Sequence, residues 1–124
     1  MTSAQGAGSL SLLVIKVRDI ERARTFYELL GLQFTSEKHG SGPEHYAATL
    51  RGGTVFEIYP SRREAPEGSV RLGLRVAEPD QAVTRVVAAG LLAASRPARS
   101  TPAGTRVIYD PDGNCVELTA LAAE

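Results

Sequence analysis

The sequence predicts an α+β fold in which two βαβββ modules form paired curved sheets around a cleft. A strand-like run followed by an amphipathic helix occurs twice, three further strand-like runs follow each helix, and matching residues lie 59 or 60 positions apart. A unit of about 55 residues cannot cover its own sheet. We therefore expect one domain in which the helices lie outside and the two sheets face an inner cleft.

The first module is predicted over residues 10–60. The run "LSLLVIKV" (Leu10–Val17) has the composition of a strand, and "DIERARTFYELLG" (Asp19–Gly31) has apolar residues at helical spacing. Asp19 is a candidate N-cap, and Gly31 suits the C-terminal cap. Three strand-like runs follow: Leu32–Lys38, His45–Leu50 and Thr54–Tyr59.

The second module, over residues 70–120, repeats this order. "VRLGLRV" (Val70–Val76) is strand-like, and "EPDQAVTRVVAAG" (Glu78–Gly90) is helix-like, with Pro79 in the predicted first turn. Three strand-like runs follow again: Leu91–Arg96, Thr105–Tyr109 and Asn114–Ala120. Val17 aligns with Val76, and Gly31 with Gly90, so the chain contains an internal repeat.

Composition narrows the class of partner. The formal net charge is zero and the arginines are scattered, which argues against nucleic acid as a partner. The single cysteine cannot form an internal disulfide, no apolar run reaches the roughly 20 residues of a membrane span, and no basic segment precedes the first apolar residues. We expect a cytoplasmic protein without a membrane partner, with a flexible tail at residues 1–9 and a linker at residues 61–69.

Alternation along the strands divides the side chains into two faces. Leu13, Ile15 and Val17 are expected to pack on the helix, so their neighbours face the cleft. The predicted cleft residues on the first strands are Leu12, Val14, Lys16, Arg71, Gly73 and Arg75. On the last strands they are Val55, Glu57, Tyr59, Cys115, Glu117 and Thr119. His45 joins this face under one of the two possible alternations of its strand, and the sequence leaves that choice open.

These features resemble a known superfamily. The paired βαβββ halves, "VRDIERARTFYELLGL", "VFEIY" and "DPDGNCVEL" are similar to the vicinal oxygen chelate superfamily. It includes glyoxalase I, extradiol dioxygenases, fosfomycin resistance enzymes, methylmalonyl-CoA epimerase and the bleomycin resistance proteins. The resemblance covers about Leu10 to Thr119 and implies the glyoxalase/bleomycin resistance fold and a homodimer.

The resemblance also implies where a metal would bind. Metal-dependent members carry ligands on the first and last strands of each module, and these positions correspond to Leu12, Glu57, Arg71 and Glu117. Leucine has no donor atom, and the arginine guanidinium stays protonated. We therefore expect no metal at these positions, and Arg71 as a fixed cation that satisfies one or both glutamates.

Two interpretations of the charged residues remain open. Glu57 and Glu117 are candidate catalytic residues, as an acid and base pair or as metal ligands, or they are charge partners of Arg71 and Arg75. His45 is a proton donor or acceptor, or an ordinary strand residue. Cys115 is interpreted as a small, half-buried apolar residue.

The leading hypothesis is a metal-independent small-molecule-binding protein of the bleomycin resistance type. Its predicted ligand-binding cleft, between modules or between subunits, contains Leu12, Val14, Lys16, His45, Glu57, Tyr59, Arg71, Arg75 and Glu117. No cofactor is expected, with a divalent metal as the alternative. The rival hypothesis is an enzyme. It is either a lyase, isomerase or dioxygenase that recruits a metal through Glu57 and Glu117, with His45 as a candidate further ligand, or a metal-free acid–base catalyst that uses the two glutamates. A third hypothesis is a protein interaction role.

Overall fold

The computed structural model describes residues 6–62, 68–93 and 96–122. The predicted tail and linker lie partly outside these ranges. In chain order the elements are β1 (Leu12–Val17), α1 (Ile20–Leu29), β2 (Thr35–Glu37), β3 (His45–Thr49), β4 (Val55–Pro60), β5 (Arg71–Val76), α2 (Pro79–Ala88), β6 (Arg99–Ser100), β7 (Arg106–Tyr109) and β8 (Cys115–Ala120).

The two halves have the same sheet topology. One four-stranded sheet has the order β1-β4-β3-β2, and the other has the order β5-β8-β7-β6. In each sheet the first and last strands of the module pair in parallel and the remaining pairs are antiparallel. The predicted α+β fold of two βαβββ modules is confirmed.

The first helix has the caps that the sequence predicts, and Pro79 lies in the first turn of the second as expected. The side chain of Asp19 accepts hydrogen bonds from the backbone N–H groups of Glu21 and Arg22 at 3.0 and 3.1 Å. Beyond the helix ends, Gly31 and Gly90 have φ angles of +112° and +69°, which favour glycine. Within the described ranges neither helix has the length and apolarity needed to cross a bilayer.

One strand prediction is wrong. The run Leu91–Arg96 was expected to form a strand, but Leu91, Leu92 and Ala93 are not in a strand, and residues 94–95 lie outside the described part. Leu91 is instead buried in the core and donates its N–H to the carbonyl of Val86. Its apolar side chain therefore packs in the core after the end of α2. The short β6 is the fourth strand of the second sheet.

One core joins the two modules. Phe26 and Tyr27 of α1 and Val83 and Val86 of α2 are buried in one cluster with residues of both sheets. The two helices contact each other. The buried sides of both sheets and both helices therefore share a single core.

The turn at Asp110–Asn114 strengthens the junction between modules. The buried Asp110 accepts hydrogen bonds from the N–H groups of Asp112 and Asn114 and from the Asn114 amide, each at 2.9 Å. Its Oδ2 also accepts the hydroxyl of Tyr27 at 2.7 Å. Burial raises the pKa of Asp110, and these hydrogen bonds oppose the rise. The opening of "DPDGNCVEL" is therefore a structural turn.

Candidate functional site

The exposed face of β1 and β4 combines apolar and charged side chains. Val14 lies opposite Glu57 in the parallel register, and Lys16 lies opposite Tyr59. Leu12 and Val14 have 51% and 38% of their surface exposed. We call this surface, Leu12, Val14, Lys16, Glu57 and Tyr59 together with His45, the first face.

The structure places His45 on the first face. Ala47 pairs with Glu57 across β3 and β4, and His45 is two residues from Ala47, so the three side chains share a side of the sheet. The His45 ring stacks on Tyr59 with a centroid distance of 4.0 Å and an interplanar angle of 10°. Its Nε2 lies 3.7 Å from Oε2 of Glu57. The side chain of His45 is only 1% exposed.

Tyr59 remains a neutral phenol over a wide pH range. Burial raises its pKa, and the negative charges of Glu57 and Glu37 raise it further, because a phenolate would be desolvated and repelled by them. The ring presents an aromatic surface and a hydroxyl that can donate a hydrogen bond.

The corresponding face of the second module carries Arg71, Gly73, Arg75 and Glu117, and we call it the second face. Nε of Arg71 donates to Oε2 of Glu117 at 2.5 Å. This hydrogen bond raises the pKa of Arg71, so its guanidinium stays cationic. Gly73 lies opposite Glu117, and Arg75 lies opposite Thr119.

The predicted pair of glutamates is divided between the two faces. Glu57 is next to His45, and Glu117 is bonded to Arg71. Arg71 therefore satisfies one of the two carboxylates.

A metal does not fit the four strand positions that the resemblance implies. Leu12 offers no donor atom, and Arg71 carries a positive charge that is already paired with Glu117. The chemistry of this donor set excludes it as a metal site, so no reaction step is assigned to a metal there.

A cavity of about 670 Å³ includes part of the first face. It is lined by Val14, Lys16 and Tyr59 of that face and by residues 68–70 and the Asp110–Asn114 turn of the second module. A second cavity of about 1080 Å³ lies at the opposite end of the junction and contains Arg75. Both have the volume of ordinary small-molecule sites, and Tyr59, whose ring stacks on His45, lines the first.

Two residues near the first face were not selected from the sequence. Glu37 lies directly opposite His45 in the antiparallel pair of β2 and β3. His39, which was interpreted as a solvated loop residue, is 74% exposed, but its ring lies 5.2 Å from the His45 ring. The sequence signal that could have identified them is the predicted hairpin, because a short connection brings the end of one strand close to the start of the next.

Solved structures with the same fold cover nearly the whole chain. An antibiotic-binding protein, TnmS3 from Streptomyces sp. CB03234, is 25% identical with a TM-score of 0.66, covering 96% of this chain and 100% of its own. An integron cassette protein from the mobile metagenome of V. cholerae is 24% identical with a TM-score of 0.63, covering 97% and 100%. The fosfomycin resistance protein FosX from Mesorhizobium loti is 21% identical with a TM-score of 0.62, covering 95% and 94%.

Sequence comparison identifies the family directly. Comparison with curated protein sequences gives no significant match. The profile of one family, however, matches residues 9–118, which include both modules and both faces. The chain belongs to the Glyoxalase/Bleomycin resistance protein/Dioxygenase superfamily.

Proposed function

We propose that the chain is a cytoplasmic small-molecule-binding protein that holds an organic ligand by its side chains, without a metal at Leu12 and Arg71. The observation that carries the proposal is the cavity lined by Val14, Lys16 and Tyr59. It offers an apolar wall, an aromatic ring and a cation within one space. Pockets for organic ligands usually combine these features.

The similarity to TnmS3 supports this choice of function. TnmS3 is described as an antibiotic-binding protein and shares the fold over almost the whole chain. The charges of Lys16, Arg71 and Arg75 favour a ligand with an anionic or carbonyl group. The half-buried Tyr59 favours a flat or aromatic portion of the ligand, which would stack on its ring.

We further propose that a homodimer completes the site. The first face exposes apolar side chains at Leu12 and Val14, and Leu10 beside it is 63% exposed. The second face supplies the arginines Arg71 and Arg75. Contact between the first face of one subunit and the second face of its partner would enclose the ligand and cover the exposed apolar surface.

The proposal is tested by filling the cavity. Val14→Trp adds a large ring at a partly exposed position in the cavity wall, and Val87→Trp adds the same ring on α2, where Val87 is 52% exposed. Wild type and both variants are titrated calorimetrically with aromatic and anionic antibiotics, including bleomycin and fosfomycin. We expect binding by wild type and Val87→Trp and loss of binding in Val14→Trp. Equal binding by all three proteins would reject the cavity as the site.

A second candidate function is metal-free proton transfer. The observation that favours it is the 3.7 Å separation between Nε2 of His45 and Oε2 of Glu57 beside Tyr59. A histidine and a carboxylate in contact can exchange a proton with a bound substrate. Turnover of a bound compound that is lost in Glu57→Gln, while binding is retained, would establish catalysis. Binding without turnover in the wild type would exclude catalysis for that compound.

A further inference from the structure

Two imidazoles and a carboxylate form a cluster at the edge of the first face. β2 ends at Glu37, β3 begins at His45, and the antiparallel register sets these residues directly opposite each other. His39 lies in the connection between the two strands. In the described part of the chain, one donor atom each of Glu37, His39 and His45 lie within 4.8 Å of one another.

Both ring nitrogens of His45 face oxygen atoms. Nδ1 lies 3.2 Å from the carbonyl oxygen of Pro43, and Nε2 lies 3.2 Å from Oε1 of Glu37. A carbonyl oxygen only accepts, so a proton on Nδ1 satisfies the first contact, and the neutral ring then has a lone pair on Nε2. That lone pair faces carboxylate oxygen on a side chain that is 1% exposed. A cation at Nε2, either a proton or a metal ion, makes this contact favourable.

The spacing of the donor atoms suits a small divalent ion. With metal-to-ligand bonds of about 2.0 Å, the ligand atoms of a tetrahedral site are about 3.3 Å apart. Oε1 of Glu37 is 3.2 Å from Nε2 of His45 and 3.6 Å from Nε2 of His39. Both distances from Oε1 of Glu37 are within a few tenths of an ångström of that spacing.

We propose that Glu37, His39 and His45 bind a divalent transition metal ion of the Zn²⁺ type. Imidazole ligands favour zinc and related ions, whereas magnesium and calcium are bound by oxygen atoms. The Pro43 carbonyl would hold the Nδ1 proton and so leave Nε2 free to coordinate, as hydrogen-bond partners of metal-bound histidines do. Because His39 is 74% exposed, the ion has access from solvent.

This site adjoins the proposed organic-ligand site, because His45 belongs to the first face and stacks on Tyr59. The ion would tie the connection between β2 and β3 to the sheet and fix His45 against Tyr59. It uses none of the first-strand or second-face positions, Leu12, Arg71 and Glu117. An ion bound to Nε2 would also prevent that nitrogen from transferring a proton. The metal site and the proton-transfer function therefore cannot use His45 at the same time.

The test is metal titration of the untagged, metal-free chain. Zn²⁺ binding is measured by calorimetry, and Co²⁺ binding by the visible absorption of the coordinated ion. His39→Ala and Glu37→Gln remove one donor each at positions where the side chains are at least one-third exposed. Glu44→Gln is the control, since Glu44 lies in the same connection and accepts a hydrogen bond from Ser36 at 3.0 Å instead.

We expect one ion per chain in the wild type and in Glu44→Gln. His39→Ala and Glu37→Gln should each weaken Zn²⁺ binding by about tenfold or more. The ring nitrogen signals of His39 and His45 should shift on Zn²⁺ addition in nitrogen NMR spectra. Binding of unchanged strength in both variants would overturn the proposal. Absence of Zn²⁺ and Co²⁺ binding in the wild type would also overturn it.

Discussion

Nε of Arg71 donates a hydrogen bond to Oε2 of Glu117 at 2.5 Å, where the superfamily resemblance would place two metal ligands. A guanidinium cannot coordinate a cation, and it neutralises the carboxylate that could. The second face therefore carries an arginine–glutamate ion pair where those two ligands would lie.

Replacing Arg71 should weaken the binding of an anionic ligand without unfolding the protein. In Arg71→Ala the affinity should fall by about tenfold or more, since a charge-assisted hydrogen bond to the ligand is lost. The melting temperature should stay near that of wild type, because the side chain is 75% exposed. Calorimetric titration and thermal unfolding measure the two effects. Arg22→Ala, on α1, is the control, and an equal loss of affinity in both variants would contradict the assignment.

The proposed dimer predicts different effects from two equally exposed apolar residues. Leu12 and Val87 are 51% and 52% exposed, but only Leu12 lies on the first face. Leu12→Asp should give monomers in sedimentation experiments because it places a charge in the apolar contact, whereas Val87→Asp should leave the dimer intact. A monomeric wild type, or dissociation of both variants alike, would argue against this interface.

Two glycines should respond in opposite ways to an added methyl group. A Cβ at Gly68 would lie 2.2 Å from the backbone carbonyl carbon of Gly113. Relieving this contact would require movement of the backbone of residue 68 or of the Asp110–Asn114 turn. Gly68→Ala should lower the free energy of unfolding by about 1–3 kcal/mol. Gly73→Ala, where no atom lies within 4 Å, should be neutral or slightly stabilising. Urea unfolding measures both, and an unaffected Gly68→Ala protein would show that the two segments are not in close contact.

Asp110 predicts a specific pH dependence of stability. Burial raises its pKa above the ordinary value of 3.8, so the folded protein holds this proton more tightly than the unfolded chain. Its contribution to the free energy of unfolding is fully present below that value and is lost as the pH rises through the raised folded pKa. Asp110→Asn cannot ionise there. The free energy of unfolding of wild type, relative to that of Asp110→Asn, should therefore rise as the pH falls from 7 towards 4.

Urea unfolding of both proteins at several pH values measures this difference. A shift in the opposite direction would mean that the hydrogen bonds from Tyr27 and Asn114 outweigh the effect of burial. Tyr27→Phe serves as the control, because it removes one of these bonds and leaves the carboxyl group in place.

The local architecture could be predicted from the sequence because its signals are local. The strand and helix of each module follow from apolar periodicity, and Asp19 and Gly31 mark the ends of α1. The run at Leu91 misled the prediction, because a buried loop and a buried strand have the same apolar composition. Periodicity does not distinguish them.

The candidate site was predicted in part, because its assembly depends on long-range packing. Alternation placed Glu57 and Tyr59 on one face, but the alternation of His45 was set only by its pairing with neighbouring strands. The separation of Glu57 from Glu117 depends on which sides of the sheets meet. Glu37 and His39 became candidates only when the hairpin set them beside His45.

Amide chemical-shift mapping shows whether an organic ligand binds at the first face. Isotope-labelled protein is titrated with a compound that binds in calorimetry, and the shifted backbone signals are located. We predict shifts centred on Val14, Lys16 and Tyr59. Shifts centred on Leu32, Leu50 and Leu74, which line the second cavity, would contradict the account and place the ligand at the opposite end of the junction.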